Sequence, residues 1–289
     1  MNSKFSLPGT VKQTSPFIHF VLTRFNVRTE FNAGILPRDS WLKNRFELFD
    51  RFAYPSMYNQ VCKNFLWLVF LDKKTPESYR QEMTGYAKAL PNMTPLYVDH
   101  IKVGTPEIMD VIRPFIAPHI TPQTPYLIST RFDNDDAVSQ DFISIIQQQF
   151  KNQTREFINL PNGYLWQNNK LYTKRDESNP FISLIEEATD FETVWCVGHH
   201  LAKARSSICQ VETTPQWIQV IHGQNVSNRV RVGNIRLPLK TLPGTFHLAM
   251  QSHALQESAW QINAENQIKK RIRRFRWKWK QFKERILTN

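Results

Sequence analysis

Residues 65–71 read FLWLVFL, an uninterrupted run of seven apolar side chains, and this run restricts the fold more than any other feature. It is much shorter than the roughly 20 residues needed to span a bilayer. A strand with one solvated face alternates apolar and polar residues, whereas a strand covered by helices on both faces is apolar throughout. The run therefore predicts a central strand of a parallel, helix-covered sheet, and with it an α/β domain.

Strand and helix patterns alternate around this run, as they do in α/β domains. Strands are predicted at residues 17–24, 65–71, 96–98 and 126–130, and helices are expected to begin at Ser40, Thr75, Thr105 and Asp136. The first helix is expected to end before Pro55, and the last to run to residue 150. Shorter strands follow at residues 157–160, 164–167, 170–173, 194–197 and 217–221, with turns at residues 162–163 and 168–169. The chain is thus predicted to form one mixed, mostly parallel sheet flanked by helices.

Residues 131–136, RFDNDD, place three aspartates between a predicted strand and a predicted helix. In open α/β sheets, ligands bind beyond the carboxyl ends of the strands. Strand alternation puts Asp133 and Asp135 on one side, where two carboxylates would hold a divalent cation such as Mn²⁺ or Mg²⁺. Asp136 is then left to cap the following helix. The alternative interpretation is a polar turn that ends in a helix cap.

Several segments resemble a known family. Residues 129–136, STRFDNDD, look like the D-x-D-D element of GT-A glycosyltransferases. A bacterial family of rhamnosyltransferases is similar at residues 19–28, 36–42, 45–49, 64–72, 160–164 and 221–227, which read HFVLTRFNVR, LPRDSWL, RFELF, NFLWLVFLD, LPNGY and IHGQNVS. The resemblance covers residues 17–234 and implies a GT-A-like, that is Rossmann-like, fold.

The same resemblance implies a metal-dependent glycosyltransferase. Such an enzyme would move a sugar, with rhamnose as the candidate, from a dTDP-, UDP- or GDP-sugar to a cell-surface or lipid-linked glycan. The nucleoside diphosphate leaves as an anion, and a bound Mn²⁺ or Mg²⁺ neutralises the charge that develops on it. GT-A enzymes often add a late histidine to this cation, and an imidazole is an acceptable ligand.

Roles for individual residues follow from the resemblance and from position. Asp135 is expected to bind the metal, Asp133 the metal or the donor ribose, and His222, after the last predicted strand, the metal. The pair His199 and His200 is the rival for the last role.

Three arginines are candidate donor-binding residues. Arg24 and Arg28 flank the end of the first strand, and Arg131 precedes the acidic pair. A planar guanidinium suits a phosphate. The alternatives are structural ion pairs, with Glu30 or Asp39 in the case of Arg24.

The base that accepts the proton of the acceptor hydroxyl is sought between the acidic motif and His199, where GT-A enzymes often place it. Glu187 and Asp190 are the candidates, within a group that also contains Glu186 and Glu192. Periodicity does not choose among the four, and the solvated face of a helix is the alternative interpretation.

The C-terminal segment carries most of the excess charge. The formal net charge is +12, and residues 267–289 contain ten basic residues against Glu284 alone. An apolar stripe with helical spacing runs through Ile268, Ile272, Phe275, Trp279, Phe282 and Ile286. This pattern predicts a basic amphipathic helix that contacts an anionic membrane surface. Residues 1–255 are thus expected to form the GT-A-like domain and residues 256–289 the helical tail.

The remaining features concern location and rival functions. The N-terminus lacks the apolar segment of a signal peptide, and three scattered cysteines give neither a disulfide framework nor a zinc site. We therefore expect a cytoplasmic protein, peripheral on the inner face of the cytoplasmic membrane.

A nucleic-acid-binding protein or metal nuclease is the alternative function, but it predicts basic residues across the body of the protein, which is nearly neutral. For the tail, packing of its apolar stripe on the body or on another subunit is the alternative to membrane contact. An interaction module whose tail recruits a partner helix is a third hypothesis, but it would leave the acidic motif without a role. We therefore expect no nucleic acid partner.

Overall fold

The computed structural model describes residues 15–27, 39–223, 229–249 and 258–287. Its strands are β1 (Phe17–Arg24), β2 (Leu66–Asp72), β3 (Met93–Val98), β4 (Tyr126–Arg131), β5 (Ala137–Val138), β6 (Arg155–Asn159), β7 (Asn162–Gln167), β8 (Lys170–Arg175), β9 (Ser183–Glu187), β10 (Ile208–Gln210), β11 (Trp217–Ile221) and β12 (Arg236–Leu237). Its α-helices are α1 (Asp39–Leu48), α2 (Tyr54–Tyr58), α3 (Glu77–Ala89), α4 (Ile108–Ile116), α5 (Phe142–Gln147), α6 (Ala202–Arg205) and α7 (Ala259–Leu287).

The larger sheet has seven strands in the order β10-β6-β9-β4-β1-β2-β3. Strands β4, β1, β2 and β3 are parallel, and β10 is parallel to β6. β9 runs antiparallel between β4 and β6. The predicted α/β fold, with a mixed and mostly parallel sheet, is confirmed.

Both faces of this sheet are buried, which explains why the run at residues 65–71 is apolar without a break. Trp67 and Val69 belong to the same core cluster as Phe49, which follows α1. Leu68 and Phe70 belong to the cluster that contains Ile112 of α4. Alternate side chains of β2 therefore enter two separate cores.

A second sheet, in the order β12-β8-β7-β11-β5, contains strands that we expected in the first. The prediction of a single sheet is therefore wrong. The predicted turn at residues 168–169 is confirmed, because Asn168 and Asn169 have φ values of 50° and 57°, as a tight hairpin between β7 and β8 requires. The turn expected at residues 162–163 is wrong, since Asn162 and Gly163 already pair with β8.

Gly163 allows β7 to approach the side chain of Trp217 on β11. A Cβ at this glycine would lie 2.1 Å from the indole ring, which is far inside van der Waals contact. The ring is held in place by a hydrogen bond of 2.7 Å from its Nε1 to the carbonyl oxygen of Leu160. The glycine thus permits a close contact of two neighbouring strands.

The helix predicted to end before Pro55 continues beyond it. A π-helical turn, Phe49–Ala53, follows α1, and α2 then places Pro55 in its first turn. Proline is tolerated there because the first N–H groups of a helix need no intrahelical partner.

Two further predictions are wrong. Asp136 caps no helix, because β5 follows it directly and α5 begins only at Phe142. Residues 194–197 form no strand. Thr193 has a φ of 64° and its side chain accepts a hydrogen bond from the N–H of Trp195, which closes the short 3₁₀ turn Val194–Cys196.

The predicted C-terminal helix is present as α7, which has 29 residues. In the part of the chain that the structure describes, no helix has the length and apolar character that crossing a bilayer would require.

Candidate active site

The acidic motif forms a buried loop at the carboxyl end of β4. The N–H of Phe132 donates to the carbonyl oxygen of Leu22 at 3.1 Å. The amide of Asn134 donates to the carbonyl oxygen of Phe25 at 2.9 Å. Both bonds tie the loop to β1, which is parallel to β4, so the loop lies at the sheet edge where ligands of α/β proteins bind.

Asp135 is the centre of a cluster that joins three distant parts of the chain. Its Oδ2 lies 2.7 Å from Nη1 of Arg45 and 2.7 Å from Nε2 of His222. A carboxylate oxygen only accepts, so the imidazole donates through Nε2. The structure therefore brings together two of the predicted metal ligands, Asp135 and His222.

The environment of Asp135 keeps it charged. Burial alone would raise its pKa, but the hydrogen bond from His222 and the charge of Arg45 outweigh burial and hold the pKa below its ordinary value. Asp135 is thus a carboxylate at neutral pH, as a metal ligand or a partner of cations must be.

Asp136 has a different role from the expected helix cap. Its Oδ1 accepts a hydrogen bond of 2.8 Å from the backbone N–H of Val220, two residues before His222. Burial, and then the charges of Asp135 and Asp133, raise its pKa well above the ordinary value. Together with the pairing of β5 and β11, this bond positions the end of β11 beside the acidic loop.

Asp133 is near the arginine that begins the same loop. Its Oδ2 is 3.8 Å from Nη2 of Arg131, so the alternative reading of Arg131 as a member of an ion pair holds in this structure. The charges of Arg131 and Asp133 both affect the pKa of the nearby His199. Burial first, and then Arg131, lower the pKa of His199 to about 4. Its imidazole is therefore neutral at physiological pH and a weak base.

Two arginines near the loop, Arg45 on α1 and Arg131 at the end of β4, each have an Nε–H group without a hydrogen-bond acceptor among the described residues. Both of these Nε atoms are buried. Arg45 also stacks on Trp41, with its guanidinium carbon 5.1 Å from the ring centroid. The positive charges of both guanidinium groups, next to Asp135 and Asp133, favour an anionic ligand at this edge of the sheet.

The donor set can be tested against a divalent cation. Among the described residues, no three histidine, cysteine, aspartate or glutamate side chains are grouped closely enough to hold a metal ion. Asp135 and His222 do converge, and carboxylate and imidazole are both ligands of Mn²⁺. Mg²⁺ and related cations bind through one or two carboxylates and take water and phosphate oxygens for the rest. The residues therefore fit a cation that is completed by its substrate.

Arg24 shares the edge of the acidic loop. Leu22 pairs with Arg131 in the parallel register of β1 and β4, so Arg24, two residues further along, lies level with Asp133. Arg28 and Glu30 lie outside the described residues. Asp39, the other alternative partner of Arg24, accepts a hydrogen bond of 2.8 Å from the hydroxyl of Tyr79.

The two candidate bases are far from the acidic loop. Glu187 pairs with Tyr126, at the opposite end of β4 from Asp133, because β9 is antiparallel to β4. Asp190 is fully exposed and lies 3.9 Å from Arg113 of α4. Neither placement fits the predicted role as base. The helix of the alternative interpretation is absent too, since Glu187 ends strand β9 and Asp190 lies in the loop after it.

Glu186, their neighbour, is buried and structural. Its carboxylate accepts hydrogen bonds from the backbone N–H groups of Glu192 and Thr193, at 3.1 and 2.8 Å. Burial raises its pKa to about 7. The residue therefore holds the loop after β9 in place.

Arg45 is the site residue that the sequence reasoning missed. It lies in one of the family-like segments, but its contact with Asp135 spans 90 residues. The spacing of Trp41 and Arg45, one helical turn apart, indicates only that these two side chains are neighbours, not that Arg45 meets Asp135.

The comparisons with known proteins agree with the motif. Residues 4–234 match the model of a protein family described as "Putative rhamnosyl transferase". None of the curated proteins compared matches the sequence.

Solved structures of S. aureus TarS are similar at a low level. The structure of TarS 1–349 has 11% identity and a TM-score of 0.37, and the match covers 71% of this chain and 60% of that one. The same TarS residues in complex with UDP give 10% identity, a TM-score of 0.37 and coverage of 71% and 61%. The match thus spans about three fifths of these structures.

Proposed function

The chain belongs to this rhamnosyl transferase family, and on that premise we propose that it is a metal-dependent glycosyltransferase. It transfers a sugar, rhamnose being the first candidate, from a nucleoside-diphosphate donor to a glycan or glycolipid. The family supports the reaction class, and the cluster around Asp135 supports the place where the donor binds.

The observation that carries the proposal is the convergence of Arg45 and His222 on Asp135. Arg45 lies on α1, Asp135 lies in the acidic loop after β4, and His222 directly follows β11. Their meeting point is the carboxyl edge of the parallel strands. A donor diphosphate placed there contacts cationic and carboxylate groups at the same time.

The chemistry of this site follows from its charges. A bound Mn²⁺ or Mg²⁺ would supply the positive charge that the departing diphosphate needs, and Asp135 and His222 would hold it. Arg45 and Arg131 would add positive charge beside the donor phosphates. Asp136 and Asn134 keep the loop in position through their backbone partners. The general base is assigned to neither Glu187 nor Asp190, because both lie away from this edge.

A donor panel tests the proposal. Hydrolysis and transfer are measured with dTDP-, UDP- and GDP-sugars, each with Mn²⁺ or Mg²⁺. Asp135→Asn is expected to lower turnover by about 100-fold or more, in the range found for other groups that stabilise developing charge. Asp110→Asn, an exposed residue of α4, is the matched control and should retain full turnover.

Two outcomes would contradict the proposal. One is normal turnover of Asp135→Asn with every donor that the wild type accepts. The other is absence of any sugar-nucleotide turnover together with binding or cleavage of DNA or RNA, which would favour the metal nuclease.

The proposal also covers acceptor and location. A cell-surface or lipid-linked glycan is the acceptor class, and the cytoplasmic face of the membrane is the place. The family supports the acceptor class, and the basic, apolar C-terminal helix supports a place at the membrane. Addition of a lipid-linked acceptor to the assay tests the first, and cell fractionation tests the second.

A further inference from the structure

The first turns of α7 are fixed to the edge of the second sheet. Ile262 is buried, with 5% of its surface exposed. The side chain of Asn266 accepts from the backbone N–H of Arg236 at 2.9 Å and donates to its carbonyl oxygen at 3.0 Å. Glu265 forms an ion pair of 2.8 Å with the guanidinium of the same arginine. Asn266 thus pairs with β12 as a neighbouring strand would.

Lys269 ends the docked part of the helix. Its Nζ donates to the carbonyl oxygen of Asn234 at 3.2 Å and lies 4.1 Å from the ring centroid of Tyr172 on β8. It also pairs with Glu265 one turn earlier, at 2.9 Å. We call residues 262–269 the clamp.

Beyond the clamp, the described part of the helix is exposed to solvent on all sides. All side chains described between residues 270 and 284 are exposed. Phe275 has 69% of its surface exposed and Trp279 has 52%, and with Ile268 and Ile272 they share one helical face. Residues 270–287 contain nine basic residues against Glu284. We call residues 270–287 the arm, about 27 Å long at 1.5 Å per residue.

We propose that the arm binds the surface of an anionic lipid bilayer, with its apolar face in the headgroup layer. This inference concerns the partner of a surface and does not depend on the proposed enzymatic activity. An anionic bilayer surface offers negatively charged headgroups and an apolar layer beneath them, and a basic helix with an aromatic and aliphatic face can contact both. The lysine and arginine side chains meet the anionic headgroups while Ile272, Phe275 and Trp279 leave water.

Other occupants fit these observations less well. A second copy of the arm would cover the apolar face, but it would also bring two sets of nine positive charges together. Nucleic acid would neutralise the charges, but it would leave the isoleucine and phenylalanine side chains of the stripe in water. The bilayer surface is the occupant that uses charge and apolar face together.

The clamp gives this contact a fixed position relative to the proposed active site. β12, which holds the clamp, and β11, which precedes His222, belong to the same sheet and are separated by β8 and β7. Three strand spacings amount to roughly 14 Å. The clamp therefore keeps the start of the arm at a fixed distance from β11, the strand that leads to His222.

Vesicle binding of the full chain tests the proposal. Phosphatidylglycerol-containing vesicles and pure phosphatidylcholine vesicles are compared by flotation, at 0.15 and 0.5 M salt. Phe275→Glu with Trp279→Glu is expected to reduce partitioning by at least about tenfold, because two charges enter the apolar face. Lys270→Gln with Lys278→Gln changes the net charge by the same amount in the arm but away from the stripe, and should bind within about threefold of the wild type at 0.5 M salt, where charge is screened.

The outcomes separate the proposal from its rivals. Binding of the wild type to anionic but not to neutral vesicles, with a blue shift of tryptophan emission, supports it. It is overturned if the two double variants bind vesicles equally, if the wild type ignores both vesicles and dimerises through the arm, or if it prefers DNA or RNA to anionic vesicles. Melting curves of the variants show that the body remains folded, since the arm contributes no buried side chain among those described.

Discussion

The carboxyl group of Asp136 accepts a hydrogen bond from the backbone N–H of Val220, 84 residues away. This bond links the acidic loop of the larger sheet to the last residues of β11 in the second sheet. His222 follows directly and reaches Asp135 as a consequence. The position of one histidine is thus determined by a buried aspartate that need not touch substrate.

Two substitutions at Asp136 separate its hydrogen bond from its charge. Asp136→Asn retains an acceptor for the Val220 N–H and removes a carboxyl group whose pKa is already raised, so its stability should be close to that of the wild type. Asp136→Ala leaves a buried N–H unpaired and should cost about 1–3 kcal/mol. Urea unfolding measures both. Equal destabilisation by the two variants would show that the charge, not the hydrogen bond, matters.

Arg45 is predicted to act through its charge and its fork of donors. Arg45→Gln should lower turnover by about 10- to 100-fold, because a cation beside Asp135 and the diphosphate is lost. Arg45→Lys should recover part of this loss, since it keeps the charge but not the planar geometry. Initial rates at saturating donor measure the effect. Arg51→Gln is the control, because Arg51 bonds to Asn169 outside the site, and a loss of the same size there would contradict the assignment.

Glu186 should make stability depend on pH. Burial raises its pKa from 4.5 to about 7, so the folded state holds a proton that the unfolded state has released in this interval. The contribution of Glu186 is fully favourable below pH 4.5 and is lost as the pH rises to 7, by about 3 kcal/mol at most. Unfolding curves of the wild type and Glu186→Gln should diverge over this range. Glu187→Gln, on the exposed neighbour, should follow the wild type, and identical pH profiles for all three proteins would refute the prediction.

Gly163 is expected to tolerate no side chain. Gly163→Ala would drive a methyl group into the indole of Trp217, which is anchored to Leu160, and overpacking of this kind typically costs about 1–3 kcal/mol or more. Gly85→Ala is the matched control, because nothing lies within 4 Å of its added Cβ in α3. That substitution should raise stability by about 0.5–1 kcal/mol. Thermal unfolding of both variants checks the pair, and a stable Gly163→Ala protein would show that β11 can shift.

The sequence predicted the positions of Asp135 and His222 for a physical reason. Both follow apolar strands, and side chains at the carboxyl ends of such strands meet at one edge of an α/β fold. The family resemblance placed both residues on one cation and so predicted that they lie close together. Strand positions alone do not predict it, because the contact depends on β11 joining a second sheet. Strand composition alone does not state which sheet a strand will enter.

The position of Glu187, in contrast, could not be predicted from the sequence. Its strand was not recognised, and the direction of a strand cannot be deduced from its residues. Because β9 is antiparallel to β4, an acidic residue at its end lies at the far edge of the sheet. Arg45 was missed because a helix surface carries many charged residues, and only the tertiary structure selects the one that faces the acidic loop.

The reversed direction of β9 has a further consequence for protein engineering. Strand β9 begins at the sheet edge that carries the acidic loop. Residues 176–182, which precede it, therefore form a wall, that is a segment lying beside the loop. The backbone N–H of Arg131 donates to the carbonyl oxygen of Ile182 in this segment. That wall is anchored separately, through the bond of 2.7 Å from Asn179 to Leu160. The acidic loop depends on β1 and β11 instead. Residues 176–178 reach a different neighbour, since the hydroxyl of Ser178 donates to the carbonyl oxygen of His199. Substitutions there are expected to change the surroundings of His199 while the bonds of Asn134 and Asp136 stay in place.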